Sequence, residues 1–344
     1  MLFLLLLTAG FAQQASAQYF GRNKPVYRQL DFKVVETPHF TMYEYLKNPD
    51  KVQELGQAAE LWYAMHQAVL RDSFKERNPL IVYNDHAGFQ QTNVIQGDIN
   101  VGTGGVTEGL RNRVIFPVAA TNQQTHHVLG HEMVHAFQYH MILQGDSTNM
   151  QNFANLPLWM VEGLAEYMSI GRIDAHTALW MRDAVLNDEL PRIKDLDGYK
   201  YFPYRWGQSF WAYISGVYGD EIIQPLFMST AKHGLKTAVK MTLNTTVDSL
   251  SEAWTGTLKN YYGQWVTKGK KENLPGKTLL DDDNAGEMNV GPVLSPNGKY
   301  VVFLSEKNLF TTDLLLADAK TGKILKKIAS TATDSHLDQL NGIE

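Results

Sequence analysis

The sequence predicts an α+β protein, on three observations. Short β-branched and aromatic runs, broken by Pro and Gly, occupy the stretch from about residue 31 to residue 117. Helical periodicity then dominates from Thr121 to about Lys268, and short strands with Asn-Gly and Thr-Gly turns return after Gly291. The expectation is a small N-terminal sheet, a helical half behind it, and a separate β-rich tail.

Taken in order, the first seventeen residues read as a secretory signal peptide. Leu2 to Leu7 form an apolar run too short to span a bilayer, and Ala15-Ser16-Ala17 offers a small-x-small cleavage site before Gln18. Basic residues are missing from its start. Cysteine is absent from all 344 residues, so an oxidising compartment would be tolerated without a disulfide framework. The chain is expected to be exported, periplasmic or extracellular, with no stable membrane insertion. A formal charge of −5 and the lack of any basic block argue against nucleic acid as a partner.

Asp31 to Tyr45 reads as one or two strands broken near Pro38, and residues 50 to about 73 as a helix. Leu80-Ile-Val-Tyr83 is a short buried strand. Gly97 to Gly109, rich in Gly and Thr, is a loop or hairpin, and Arg113-Val-Ile-Phe-Pro117 is a strand. That last strand is either a core strand or an edge able to accept an extended peptide. Thr121 to Leu143 is a long helix with Thr121 or Asn122 as its cap. A second begins near Pro157, where a missing N–H costs nothing. Further helices fit Asp174–Leu186, Trp206–Val217, Asp220–Lys232, Leu235–Leu243 and Val247–Lys268. Residues 271–290 are charged and loop-like and are expected to be a linker after a domain at 18–270. Three short strands follow within 291–344.

Chemistry concentrates in His131-Glu132-Met133-Val134-His135. On a helix, positions i and i+4 share a face, so both imidazoles can reach one ion, and Glu132 can stand over its open coordination position as a general base. Zinc needs a further protein ligand. The helix at Leu156-Pro-Leu-Trp-Met-Val-Glu162-Gly-Leu-Ala-Glu166 offers Glu162, with Glu166 one turn on to hold a ligand imidazole. The metzincin spacing fails, because Gln138 and Met141 stand where Gly and His are required. His127 and His140 are nearby, but spare helical histidines are more often ordinary surface or supporting groups.

These segments resemble the gluzincin (peptidase-MA-like) zinc metallopeptidases. Trp159-Met-Val-Glu162-Gly-Leu-Ala is similar to their W-L-x-E-G-x-A, and Phe202-Pro-Tyr204-Arg-Trp-Gly207 resembles the Y-x-K-G of the aminopeptidase-N-like branch. The resemblance implies one Zn2+ on His131, His135 and Glu162, Glu132 as general base, Glu166 behind the ligands, and Tyr204 as oxyanion donor. The alternative for Tyr204 is a packed aromatic at a helix entry. Twenty-six residues separate His135 from Glu162, more than in those families, although added loop length costs little. The G-x-M-E-N segment that anchors a free amine is missing, with only Glu108 in a comparable region, so aminopeptidase specificity does not follow.

Leu294-Ser-Pro-Asn-Gly-Lys-Tyr-Val-Val-Phe is similar to the L-S-P-D-G-K-x-I-A-F repeat of TolB-like (WD40-like, PD40) β-propellers. A single blade cannot bury both of its faces, so residues 291–344 are expected to be an incomplete blade of a longer protein. The expected function is an exported zinc-dependent peptidase acting on a peptide or protein substrate. The alternative is a catalytically inactive scaffold serving a propeller that binds an envelope protein partner. A zinc-stabilised structural domain is a third, poorer reading, because structural sites close with a fourth protein ligand.

Overall fold

The computed structural model describes residues 28–95, 99–100, 102–264, 276–286, 288–308 and 311–330. The signal peptide expected at 1–17 lies outside them. The protein is α+β, and it divides into two units between Val266 and Thr267. Among the described residues no helix is long and apolar enough to cross a membrane.

The first unit opens with a five-stranded sheet: β1 (Lys33–Glu36), β2 (Phe40–Glu44), β3 (Asn78–Tyr83), β4 (Val106–Glu108) and β5 (Arg113–Pro117), in the order β1-β2-β3-β5-β4. β2, β3 and β5 run parallel, and the two outer strands are antiparallel to their neighbours. Pro38 falls in the turn between β1 and β2, where a residue without an N–H is harmless. Helix α1 (Pro49–Leu70) crosses from β2 to β3. Its first turn is closed by the Asn48 side chain on the Asp50 N–H, with Pro49 at the first helical position. The short α2 (His86–Phe89) follows β3.

Alternation along the strands sends Phe40, Met42, Leu80, Val82, Val114 and Phe116 into the main core. Tyr83 and Ile115 join Phe89 and Ile99 in a smaller cluster on the other face. The edge-strand possibility for Arg113–Pro117 is therefore corrected: β5 pairs β3 on one side and β4 on the other. Its unbroken Val114-Ile115-Phe116 run is the pattern of a strand covered on both faces. The edge on that side of the sheet is β4, inside the Gly- and Thr-rich stretch.

Helix α3 (Asn122–Leu143) follows β5 and is capped by Thr121 on the Gln124 N–H. Its inner face carries Leu129, Met133 and Phe137 into the main core. The helix continues two turns past His135, and a nine-residue 3₁₀ segment, Ser147–Asn155, fills much of the rest of the long connection to Glu162.

Six helices complete the unit: α4 (Leu158–Ile170), α5 (Ala175–Leu186), α6 (Pro203–Tyr218), α7 (Ile223–His233), α8 (Leu235–Leu243) and α9 (Val247–Gly263). α4 and α6 meet backbone to backbone. A Cβ on Gly163 would lie 2.2 Å from Gly207 Cα, and one on Gly207 would lie 1.9 Å from the Trp159 carbonyl oxygen. Only glycine permits this approach. It locks the chain beside Glu162 against the chain three residues after Tyr204. Trp159, Phe210, Trp211 and Trp254 are fully buried behind the crossing.

The second unit contains the helical turn α10 (Asp282–Ala285) and a four-stranded antiparallel sheet in sequence order: β6 (Asn289–Leu294), β7 (Tyr300–Asn308), β8 (Thr311–Asp318) and β9 (Ile324–Ser330). Four strands stand where three were expected. The linker expected at 271–290 is also revised for its described part. Ala285 is buried against Val301, Phe303, Leu315 and Ala317, and Leu279 and Leu280 pack on the same core. The Asp281-Asp-Asp run is a capping box, with Asp281 and Asn284 each accepting from the other's backbone N–H. A charged run that caps a helix has the same composition as a spacer.

Candidate metal centre

The i,i+4 spacing on α3 puts His131 and His135 on one face, and the glycine crossing brings α4 and α6 up to it. Three donor atoms converge. His131 Nε2 lies 3.2 Å from His135 Nε2 and 3.2 Å from Glu162 Oε2, while His135 Nε2 lies 3.3 Å from that same oxygen. Ligands on a tetrahedral ion with bonds of about 2.0–2.1 Å are separated by roughly 3.3 Å. The triangle thus has the size of one face of such a site.

Proton bookkeeping supports the same assignment. Gln138 Nε2 donates to the Val161 carbonyl at 3.0 Å, which leaves Gln138 Oε1 facing His135 Nδ1 at 2.8 Å. A carbonyl oxygen only accepts, so His135 Nδ1 carries a proton, and in the neutral ring Nε2 is the lone pair that faces the triangle. His131 Nδ1 sits 3.2 Å from Glu166 Oε1, close enough for attraction though not aligned as a hydrogen bond. Glu166 is also held by His127 Nε2 at 3.2 Å and by Arg205 at 3.1 Å, and Arg205 reaches on to Asp174 at 3.4 Å.

Three carboxylates, Glu132, Glu162 and Glu166, are thus gathered around mostly buried imidazoles with one guanidinium nearby. Burial alone would lower the His131 pKa, but the carboxylates of Glu162 and Glu166 outweigh it and push it up to about 10. Burial would raise Glu162, but hydrogen bonds from His131 and His135 hold its carboxyl well below the usual range. Glu166 is held low in the same way by His127 and His131. The cluster favours positive charge at its middle, which is what a bound divalent cation would supply.

Glu132 does not join the triangle. Its carboxylate accepts from the Thr107 hydroxyl at 2.8 Å, so β4 fixes the orientation of the side chain. Tyr204 stacks on the His131 ring at 5.7 Å and 21°. Burial first, then the Glu162 carboxylate and its hydrogen bond, raise the phenol far above its ordinary range, so it stays protonated at any physiological pH. Glu108 is taken up by Arg113 and Arg111.

All five residues expected from the sequence therefore lie together, with Glu166 next to them. A second trio, His127, His131 and Glu166, is also close enough to hold a metal ion. Its carboxylate already faces Arg205, which opposes a second cation there. His140 is occupied elsewhere, 2.6 Å from Asp72.

Sequence reasoning missed Gln138, Thr107 and the pairing of His127 and Arg205 with Glu166. Gln138 had a local signal, three residues past His135 on the same helical face. Thr107 had none, since only strand pairing carries it to Glu132. Gln138→Leu should lower divalent-metal affinity about 10–100-fold. Metal competition with a chromogenic chelator measures the change. Unchanged affinity in Gln138→Leu would show that something else orients His135.

No protein-family model matches this chain, and comparison with curated proteins finds no match either. The functional reading rests on the site itself.

Proposed function

We propose that the first unit is a zinc-dependent peptidase of the gluzincin type, exported from the cell. The observation that carries this is the donor triangle of His131, His135 and Glu162 with Glu132 beside it, anchored by Thr107 and outside the ligand set. That division of labour, two imidazoles and one carboxylate to hold an ion and a second carboxylate for protons, is what metal-assisted hydrolysis needs. Zinc bound there would supply a Lewis acid and an acidified water.

The chain's own residues supply the rest. Glu132 takes a proton from the attacking water and passes it to the leaving amine. Tyr204 donates its phenolic proton as a hydrogen bond to the oxygen on which negative charge develops, a task suited to a phenol whose ionisation is suppressed. Glu166 and Gln138 hold the two imidazoles, and Arg205 balances Glu166. The site thereby avoids placing an uncompensated carboxylate behind the ligands.

For the second unit we propose a blade-like module of the TolB type that contacts a protein partner. Its four-stranded meander supports this, as do the exposed Val293, Leu294, Leu325 and Ile328 on strands β6 and β9.

Metal analysis together with cleavage of an unstructured protein tests the peptidase reading. The expected result is zinc at one equivalent per chain, with hydrolysis that a chelator abolishes and added zinc restores. Zinc retained without hydrolysis of any unfolded substrate would favour the inactive scaffold. Failure to bind zinc at all would sink the proposal.

A further inference from the structure

A second cavity, of about 730 Å³, opens between α5, α6 and α9. It has the size of a small-ligand pocket, and none of His131, Glu132, His135 or Glu162 lines it. One wall residue, Asp174, connects it to the groups behind the metal donors. Asp174 accepts from Arg205 at 3.4 Å, and Arg205 donates to Glu166 at 3.1 Å.

Burial sorts the wall into a floor and a mouth. Thr177, Met181, Gln208 and Trp254 form the floor, each more than nine-tenths buried. Three of them carry a polar atom with no hydrogen-bond partner among the described residues: Thr177 Oγ1, Gln208 Oε1 and Trp254 Nε1. Buried polar atoms in folded proteins are nearly always paired, so three around one cavity point to a guest. Their needs differ. The indole N–H only donates, the amide oxygen only accepts, and the threonine hydroxyl does either. The other end of the Gln208 amide is already spent on the Gly171 carbonyl at 2.7 Å, which fixes the oxygen as the free end.

The sides are apolar and aromatic, with Ala212 and Tyr213 from α6 and Leu258 and Tyr262 from α9. Burial raises both phenols above their ordinary range, so they stay neutral. The mouth is cationic. Arg182 is exposed and pairs with no carboxylate among the described residues. Arg172 donates to the Ser215 hydroxyl oxygen at 2.6 Å and lies 3.5 Å from Asp220. Asp174 is the only carboxylate among the described wall residues, and Arg205 and the Thr177 N–H at 2.7 Å already engage it.

We propose that this cavity binds a small hydroxyaryl carboxylate, with the hydroxyl on the Thr177–Gln208–Trp254 floor and the carboxylate at Arg182. A hydroxyl both donates and accepts, so it answers any of the three floor atoms, which a bare ring does not. The aromatic sides take the ring, and the unpaired guanidinium takes the charge. The peptidase reading neither needs this site nor uses it.

The test is calorimetric titration of the full chain, with and without zinc, using para-hydroxyphenylpropionate as the probe. Saturable binding at one equivalent per chain is expected, and it should persist without zinc. Phenylpropionate, which lacks the hydroxyl, and the methyl ester of the probe, which lacks the charge, should each bind about tenfold more weakly. Arg182→Ala should weaken the probe about as much as esterification does. Ala178→Trp should fill the cavity and abolish binding, with thermal unfolding to show that the variant folds. If it does not fold, the exposed Arg182→Ala decides alone. Binding that requires zinc would put the carboxylate on the metal and overturn the site. Binding unchanged in both variants would overturn it too, as would no binding at millimolar probe. Equal affinity for the probe and phenylpropionate would overturn the hydroxyaryl class.

Discussion

Glu132→Gln should leave the protein folded and metal-loaded while removing nearly all of its hydrolytic activity. The geometry separates these outcomes. Glu132 lies outside the donor triangle, so its replacement subtracts no ligand. Its carboxylate accepts from the Thr107 hydroxyl, a contact that an amide oxygen of the same size preserves. What the amide cannot do is take up a proton. Loss of a general base typically lowers rate by about 10²–10⁴-fold, and in the proposed mechanism the same group also carries the proton to the leaving amine. The measurement is kcat for peptide hydrolysis, set against zinc content and far-UV circular dichroism on the same samples. Activity equal to wild type would remove Glu132 from the mechanism and put the inactive-scaffold reading ahead.

Much of this site was legible because its chemistry is local. His131, Glu132 and His135 are fixed relative to each other by one helix, and Glu162 and Glu166 by another, so 3.6-residue periodicity suffices to group each set. The meeting of the two helices is non-local, but Gly163 and Gly207 leave a trace of it as small residues beside functional ones. Without atoms, nothing said that each glycine answers the other. The groups around the first donors were mostly invisible for the same reason. Thr107 reaches Glu132 because β4 pairs with β5, and Arg205 reaches Glu166 because α6 crosses α4.

In the fold, composition misled where two structures share it. The Val114-Ile115-Phe116 run fits an edge or an interior strand until its neighbours are known, and burial on both faces decides for the interior. The acidic Asp281–Asp283 stretch fits a solvated spacer or a helix cap, and the Asn284 side chain decides for the cap. In both places backbone hydrogen bonding made the choice, and a single sequence records it only faintly.

Glu162→Ala should cost the protein its metal, and more severely than Glu166→Ala. Two trios of possible donors share His131, but they are not equivalent. In the trio with Glu162 all three separations are 3.2–3.3 Å, and the Gln138 contact keeps a proton on His135 Nδ1, so that the neutral ring presents Nε2 as its free lone pair. In the trio with Glu166 the carboxylate is engaged by Arg205, and His131 offers it the nitrogen pointing away from His135. Glu166 therefore belongs behind the ligand, where losing an outer partner typically weakens metal binding about 10–100-fold. Removing Glu162 deletes a donor and one negative charge from beside two imidazoles, so its effect should exceed that range. Zinc affinity by chelator competition on wild type, Glu162→Ala and Glu166→Ala separates the cases, with thermal unfolding of the zinc-free forms to show that each variant folds. Affinity retained in Glu162→Ala and lost in Glu166→Ala would move the ion to His127, His131 and Glu166, and would leave Glu132 too poorly placed for the role assigned to it.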